Sequence, residues 1–442
     1  MKKHFTTINV VDFEYEVDDG DLPRVLCMVA YVLDKNLRHI RAIKLWRGEF
    51  GKTPPFDIGP DALFVAYSAW AELTCFMVLG WTFPVHVYDL HTAYLAASNI
   101  LLPHEPDEPR KRPRKRLPDA CRAYGIEGWE RIDKEAISKD IGEGRWQKYG
   151  REYVLEYCEE DVKASTKLLH KQLRGLSRFP AADVPRVLHW SNYGAKSVAQ
   201  IQARGMPIDM PLWNLVQGNK PAVIRYLLRE LDPSYGSDNP IYTPDGKFSY
   251  ERFEGWLASI GVTAWPRLES GRLDLSGDAF KLMYFIPGIE ELHALRDSLS
   301  VIVRAKLPIG HDGRNRPSLF PFCTATGRNA HAKSLYNAHA GMRSFLVFPP
   351  DKIGVYLDWR TQEIGIAAAL SGDEALKAAY RGGDVYHALA LISGMTDDCD
   401  AKHSAPAPTR SRSTISRCKP TVLRCFASPR GDCVRLASFP AC

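Results

Sequence analysis

The chain has 442 residues, too many for a single hydrophobic core, so two or three domains are expected. Apolar residues make up 45% and charged residues 25%, the proportions of an ordinary globular protein, and no apolar run approaches the ~18 residues of a membrane span, which excludes helical membrane proteins. A net charge of +6 is too small to point to a nucleic-acid partner by itself.

Met1-Lys2-Lys3 is basic like the start of a signal peptide, but Asp12 and Glu14 interrupt the stretch where an apolar segment would follow, so a cytoplasmic protein is expected. Residues 7 to 46 then read as three β-rich runs, TINVVDFEYEV, RVLCMVAYVLD and HIRAIKLWRG, separated by polar turns. ALFVAY (62–67) and VHVYDL (85–90) read as two further buried strands, alternating with helical patterns such as AWAELTCFMVLG, which is mixed α/β order. A long helix over REYVLEYCEEDVKASTKLLHKQL closes this first part, with Val154, Leu155, Val162, Leu168 and Leu169 near helical spacing. RKRPRKR at 110–116 reads as a solvated basic loop.

After Arg178-Phe179-Pro180 the texture turns helical, and a new helix opens at Asp209 with Pro211 just inside. Residues 235 to 250 are rich in Gly, Pro, Asp and Asn and form a connection. A helix over 289–304 carries Ile289, Leu292, Leu295, Leu299 and Ile302 on one stripe, a packing face. Arg304, Lys306, Arg314, Arg316 and Arg328 gather basic charge. IGVYLDW (353–359) reads as a strand, followed by a helix through QEIGIAAAL. The ten cysteines include no CxxC pair, which suggests neither a zinc site nor a disulfide framework.

Asp12 and Glu14 are two apart on the first strand, so both carboxylates face one side and can reach one metal pair. Tyr157 and Asp161 are four apart on the closing helix, so a phenol and a carboxylate can point at one spot. Clustered carboxylates of this kind hold the two divalent ions that phosphodiester hydrolysis uses.

A DxE strand followed by YxxxD on a helix resembles the DEDDy 3′→5′ exonucleases attached to family A DNA polymerases, over residues 6 to 178. The resemblance implies a ribonuclease H-like fold in which Asp12, Glu14 and Asp161 hold two Mg²⁺ ions, with Mn²⁺ as an alternative, and Tyr157 orients the attacking water. The family's middle motif departs from its usual form. Glu72, in Ser68-Ala69-Trp70-Ala71-Glu72, is the favoured third carboxylate, and Asp89 is its rival.

The second half extends the likeness to residue 400. Phe322 to Arg328 contains TATGR, and Val355-Tyr356-Leu357-Asp358-Trp359-Arg360-Thr361-Gln362-Glu363-Ile364, followed by SGD and GGD, resembles motif A of family A polymerases. The resemblance implies a metal-binding Asp358, Glu363 as the residue excluding a ribose 2′-hydroxyl, and Arg328 and Arg343 as contacts to primer and template. The triphosphate-gripping helix and the HDE motif that should follow do not appear.

From 401 the composition switches to four cysteines, five prolines and eight basic residues against one acid, Asp432, which reads as a disordered tail, expected to be out-of-frame translation. The expected organisation is a ribonuclease H-like exonuclease domain (1–180), the start of a polymerase domain with a mostly helical thumb (181–345), a partial α+β palm (346–400) and the tail (401–442). The expected function is 3′→5′ exonuclease activity on single-stranded DNA 3′ ends and primer-template, with an incomplete polymerase domain. Two alternatives stand beside it: a segment of a complete polymerase, and a DNA-binding pseudo-polymerase without activity.

Overall fold

The computed structural model describes residues 5–101, 116–127, 134–175, 181–304, 307–324, 327–335, 344–355, 357, 359–382 and 385. The chain divides into two compact units, Met1–Met210 with Ser300–Leu346, and Pro211–Leu299 with Val347–Cys442.

The first unit is mixed α/β. Strands β1 (Thr7–Glu16), β2 (Arg24–Asp34) and β3 (His39–Trp46) form an antiparallel meander over the three β-rich runs. The β1–β2 turn contains Gly20 at φ 97°, where an added Cβ would lie 2.7 Å from the Ile309 backbone, so this turn requires glycine on both counts. Strand β4 (Ala62–Ala66) pairs parallel with β1, helix α1 (Ala69–Val78) follows, and β5 (His86–Asp89) pairs parallel with β4. The sheet order is therefore β3-β2-β1-β4-β5.

Both faces of this sheet are covered. Helices α2 (Leu90–Leu101), α3 (Leu117–Ala123), α4 (Lys134–Gly142) and α5 (Arg151–Arg174) follow β5. Ile8 and Val10 of β1 share a core with Val154, Cys158, Val162, Leu168 and Leu169 of α5. Val11 and Phe13, of opposite parity, pack with Leu73 and Phe76 of α1 and Ala199 of a later helix.

Helix α6 (Val184–Trp190) passes through a π-helical turn, Ser191–Ala195, into α7 (Lys196–Arg204). In that turn Ser191 Oγ accepts the Asp89 N–H at 3.0 Å and Asn192 Oδ1 accepts the Val87 N–H at 3.0 Å. Two amides on the outer edge of β5 are thus satisfied by side chains rather than by another strand. β6 (Met206–Pro207) follows α7, and α8 (Met210–Gly218) begins where the sequence places a helix start.

The second unit contains α9 (Lys220–Leu231), α10 (Tyr250–Ser259), α11 (Gly277–Leu282) and α12 (Ile289–Arg304) as far as Leu299. Ile289, Leu292, Leu295 and Leu299 are all buried, as their spacing predicts. Phe253 packs edge-on against Trp265 with centroids 5.0 Å apart, and His293 stacks on Phe280 at 5.0 Å. Back in the first unit, β7 (Arg314–Asn315) pairs with β6, and β8 (Ser318–Phe320) with β9 (Ala330–Ala332). Helices α13 (Gln362–Ser371) and α14 (Glu374–Arg381) belong to the second unit.

The strand expected over 353–359 does not form among its described residues. Ile353, Val355, Leu357 and Trp359 are 84%, 68%, 87% and 77% exposed and have no regular structure. A β-run becomes a strand only when a neighbouring strand takes its hydrogen bonds and covers its apolar side chains, and neither condition is met here. Asp358 and Arg343, the run 110–115 and residues 386–442, which include the tail, lie outside the described residues.

Such apolar exposure promotes self-association. Replacing Val355 and Leu357 together by lysine is expected to slow the growth of light scattering on mild heating, while shifting unfolding stability by no more than about 0.5 kcal/mol per site. A substantial loss of stability in chemical denaturation would show that these side chains are packed.

Candidate functional site

β1 outruns its parallel neighbour. Its pairing with β4 ends at Val10–Val65, whereas its pairing with β2 continues to Glu16, so Asp12 and Glu14 stand beyond the carboxyl end of β4. Ligands in α/β sheets gather at such strand ends, where loops and helix starts can reach in. A register shift between Glu14 and Tyr15 marks the same place, in keeping with the frequency of bulges beside functional sites. Asp12 and Glu14 share the parity of Ile8 and Val10 and so face α5.

Three further elements bring in the remaining groups. α1 starts directly after β4 through Ser68, a non-glycine residue at φ 60°, and carries Glu72 in its first turn, 4% exposed. Glu72 accepts the Phe13 backbone N–H, while its Oε2 is buried without a partner. α5 presents Tyr157, Cys158 and Asp161. The Cys158 thiol donates to Asp12 at 3.3 Å, and one ligand atom each from Asp12, Glu14 and Cys158 lie within 4.8 Å of one another. α4 opens with Lys134, whose ammonium contacts Asp161; the two side chains are only 13% and 14% exposed. The Tyr157 hydroxyl lies 3.5 Å from the Lys134 carbonyl oxygen, and the ammonium lies 5.2 Å from the Tyr157 ring centroid.

The electrostatics follow from crowding acids where water is scarce. Burial first, and then the Asp161 charge, hold Asp12 well above the usual carboxylate range. Burial followed by Asp12 does the same to Glu14 and to Glu72. Burial raises Asp161 as well, with Lys134 opposing the shift. Burial also raises the Tyr157 phenol and the Cys158 thiol, so both stay protonated at neutral pH. Four carboxyls that resist ionisation form a site whose anionic state is only partly compensated, by Lys134.

The sequence-expected residues Asp12, Glu14, Glu72, Tyr157 and Asp161 therefore meet at one strand end. Asp89 belongs to a different network. Its carboxylate accepts the Ala69 N–H at 3.2 Å, the His91 N–H at 3.1 Å and the Thr92 hydroxyl at 2.7 Å, tying the starts of α1 and α2 together. Sequence reasoning missed Cys158 and Lys134. Cys158 stands three residues before Asp161 on one helix, a spacing that could have suggested it. Lys134 has no local signal, since only the tertiary fold brings α4 to α5.

The second-half residues are less assembled. Arg328 is exposed, in the first unit, after Gly327 at φ 76°. Glu363 is exposed in the first turn of α13, in the second unit. Within the basic group, Arg314 and Arg316 are engaged by the first unit itself. Arg316 pairs with Asp312 at 2.6 Å and donates to the Gly20 carbonyl, and Arg314 donates to the Arg204 carbonyl, so both guanidiniums serve the fold.

The sequence matches no protein-family model and no curated protein. The structure is similar to the polymerase domain of Pol1 from M. smegmatis, in complex with DNA primer-template and dNTP, with a TM-score of 0.56 and 15% identity over 92% of this chain and 67% of that one. At that identity the likeness is one of fold.

All four carboxyls bind protons at higher pH in the folded chain than in the unfolded one, so the unfolded chain holds fewer protons and the cluster's contribution to stability falls as the pH rises through the folded values. Metal-free thermal melts are expected to lose midpoint, as the pH is raised above the ordinary carboxylate range, by more in the wild type than in Asp12→Asn; equal losses would contradict the repulsion. Asp89→Ala should cost roughly 3–5 kcal/mol in chemical denaturation because it orphans three donors. Glu72→Gln should cost less than about 1 kcal/mol in the same measurement, since Glu72 Oε2 has no partner, and a cost equal to that of Asp89→Ala would contradict the contrast between the two acids.

Proposed function

We propose that this chain is a divalent-metal-dependent 3′→5′ exonuclease acting on DNA ends, of the family A DNA polymerase lineage, with a ribonuclease H-like domain at 1–180. The observation that carries this reading is the meeting of Asp12 and Glu14 from β1, Glu72 from α1 and Asp161 from α5 beside a buried phenol. The donor set fits hard divalent cations: it is dominated by carboxylate oxygens, and Glu72 Oε2 is buried with nothing to bond. Asp12, Glu14, Glu72 and Asp161 are the residues that would hold Mg²⁺ or Mn²⁺. When bound, the ions supply charge neutralisation at phosphorus and a more acidic water.

The protein's own groups divide the remaining work. The Tyr157 phenol, kept protonated by burial, is a hydrogen-bond donor able to position water rather than a base. The rigid β1 strand holds the two carboxylates side by side, and the α5 backbone keeps Tyr157 and Asp161 on one face. DNA is the proposed partner, as single-stranded 3′ ends and primer-template.

A second reading, template-directed DNA synthesis, draws on the fold likeness to a polymerase domain and on the motif A-like segment with Asp358 and Glu363. Incorporation of dNTPs on a primer-template, lost in Asp358→Ala, would establish it.

For the exonuclease, release of nucleotides from a labelled single strand in Mg²⁺ is the test. Asp12→Ala and Asp161→Ala should lower the rate by several orders of magnitude. Tyr157→Phe, which removes one donor and no charge, should lower it by about 10²–10³. Wild-type digestion by Asp12→Ala would overturn the assignment.

A further inference from the structure

The outer edge of the five-stranded sheet carries charge that the acidic hollow does not use. From 35 to 47, across the β2–β3 turn and β3, the chain places five cations, Lys35, Arg38, Arg41, Lys44 and Arg47, and no acid, and all five are exposed. β3 pairs with β2 on one side, and among the described residues no strand takes its other side. Arg41 donates to the Pro55 carbonyl at 3.2 Å, Lys44 pairs with Glu159 at 3.0 Å, and the Arg47 guanidinium lies 4.9 Å from the centroid of the Trp146 ring. Cations on an edge strand keep other strands from adding to it. This row runs past both ends of β3, where there is no edge to protect.

The pairing registers place the row relative to the hollow. Glu14 stands opposite Cys27 and Cys27 opposite Trp46, so β3 ends level with the carboxylates, two strand spacings or roughly 10 Å to the side. From there the 8 residues of β3 lead away over about 26 Å. A second copy docking edge to edge would set like charges against each other, whereas a phosphodiester backbone offers an anion at every step. We propose that the exposed rim of β3 is a phosphate-binding track for single-stranded DNA, along which the part of the strand upstream of the reacting 3′ end lies. This inference rests on the exonuclease reading above, and it makes affinity depend on strand length.

Fluorescence anisotropy tests it, using oligo-dT of about 6 and about 20 nucleotides on the full chain, with chelator present so that nothing is cleaved. Wild type should bind the longer strand at least about tenfold tighter. The combined variant Lys35→Ser, Arg38→Ser, Arg41→Ser should bring the longer strand down to near the affinity of the shorter one. Its logarithmic salt slope should fall by about 2, at about 0.7 per phosphate contact. Arg41 stands level with Asn9, well before Glu14 on β1. Charges beyond the ~8 Å screening length at physiological salt scarcely reach the hollow, so affinity for the shorter strand should stay within about twofold. Arg38→Lys with Arg41→Lys keeps the charges and should bind as wild type. Unchanged long-strand binding in the triple variant, or equal losses for both lengths, would overturn the proposal. So would displacement of the long strand by polyglutamate as readily as by unlabelled oligo-dT of the same charge, which would assign the rim to an acidic protein. Should the triple variant fail to fold, Lys35→Ser with Arg38→Ser, in the turn before β3, carries the same expectation with a slope loss of about 1.4. The two levels fail separately. Wild type that binds both lengths but releases no nucleotides in Mg²⁺ defeats the exonuclease reading, whereas Mg²⁺-dependent digestion together with wild-type long-strand binding by the triple variant defeats only the track.

Discussion

Mutual repulsion among four carboxyls gathered at the end of β1 is the constraint around which the first unit is organised. Left to themselves, side chains of like charge in a shielded hollow would spread or take up protons. They are held because each stands on an element fixed by its own packing: β1 is flanked on both sides within the sheet, α5 is buried along its inner stripe, and α1 is locked to the opposite face through Leu73 and Phe76. The apolar core thus supplies the free energy that the charges give back, the usual relation between a stable scaffold and a strained site.

That relation also explains why two neighbouring acids differ so much in character. Asp89 lies 17 residues from Glu72 in sequence, is fully buried, and is surrounded by donors from two helix starts and a hydroxyl. Glu72 has one satisfied oxygen and one bare one. The first acid is saturated and holds the fold together, while the second retains bonding capacity for something absent from the chain itself. The two acids thus differ in how far their hydrogen-bonding capacity is met, not in type or depth.

Much of the first unit was legible in the sequence because its signals are local. The period-two runs gave the strands, the Asp12–Glu14 spacing put two acids on one face, and the four-residue step from Tyr157 to Asp161 put phenol and carboxylate on one side of α5. The choice between Glu72 and Asp89 was not legible, since it depends on which donors surround each carboxylate. Lys134 was hidden for a similar reason, because its partner stands 27 residues away on another helix. The 353–359 segment misled in the other direction. Its composition is that of a buried strand, but strand formation is a property of pairs, and one sequence cannot show that a partner is in place.

The π-helical turn between α6 and α7 ties the integrity of Asp89 to the exact residue count of the chain. Ser191 and Asn192 reach β5 only because that turn is wound one residue looser than its flanks. Losing a single residue there would let the helix relax to regular geometry with everything beyond it nearly in place, because four α-helical residues turn through about the same angle as five in the wider turn, but the bulge that carries Ser191 and Asn192 to β5 would be gone. The Asp89 and Val87 amides would then lose those partners. Substitutions in this stretch are therefore tolerable where a short polar group remains, but insertions and deletions are not, and descendants of this fold should vary here in letter far more readily than in length.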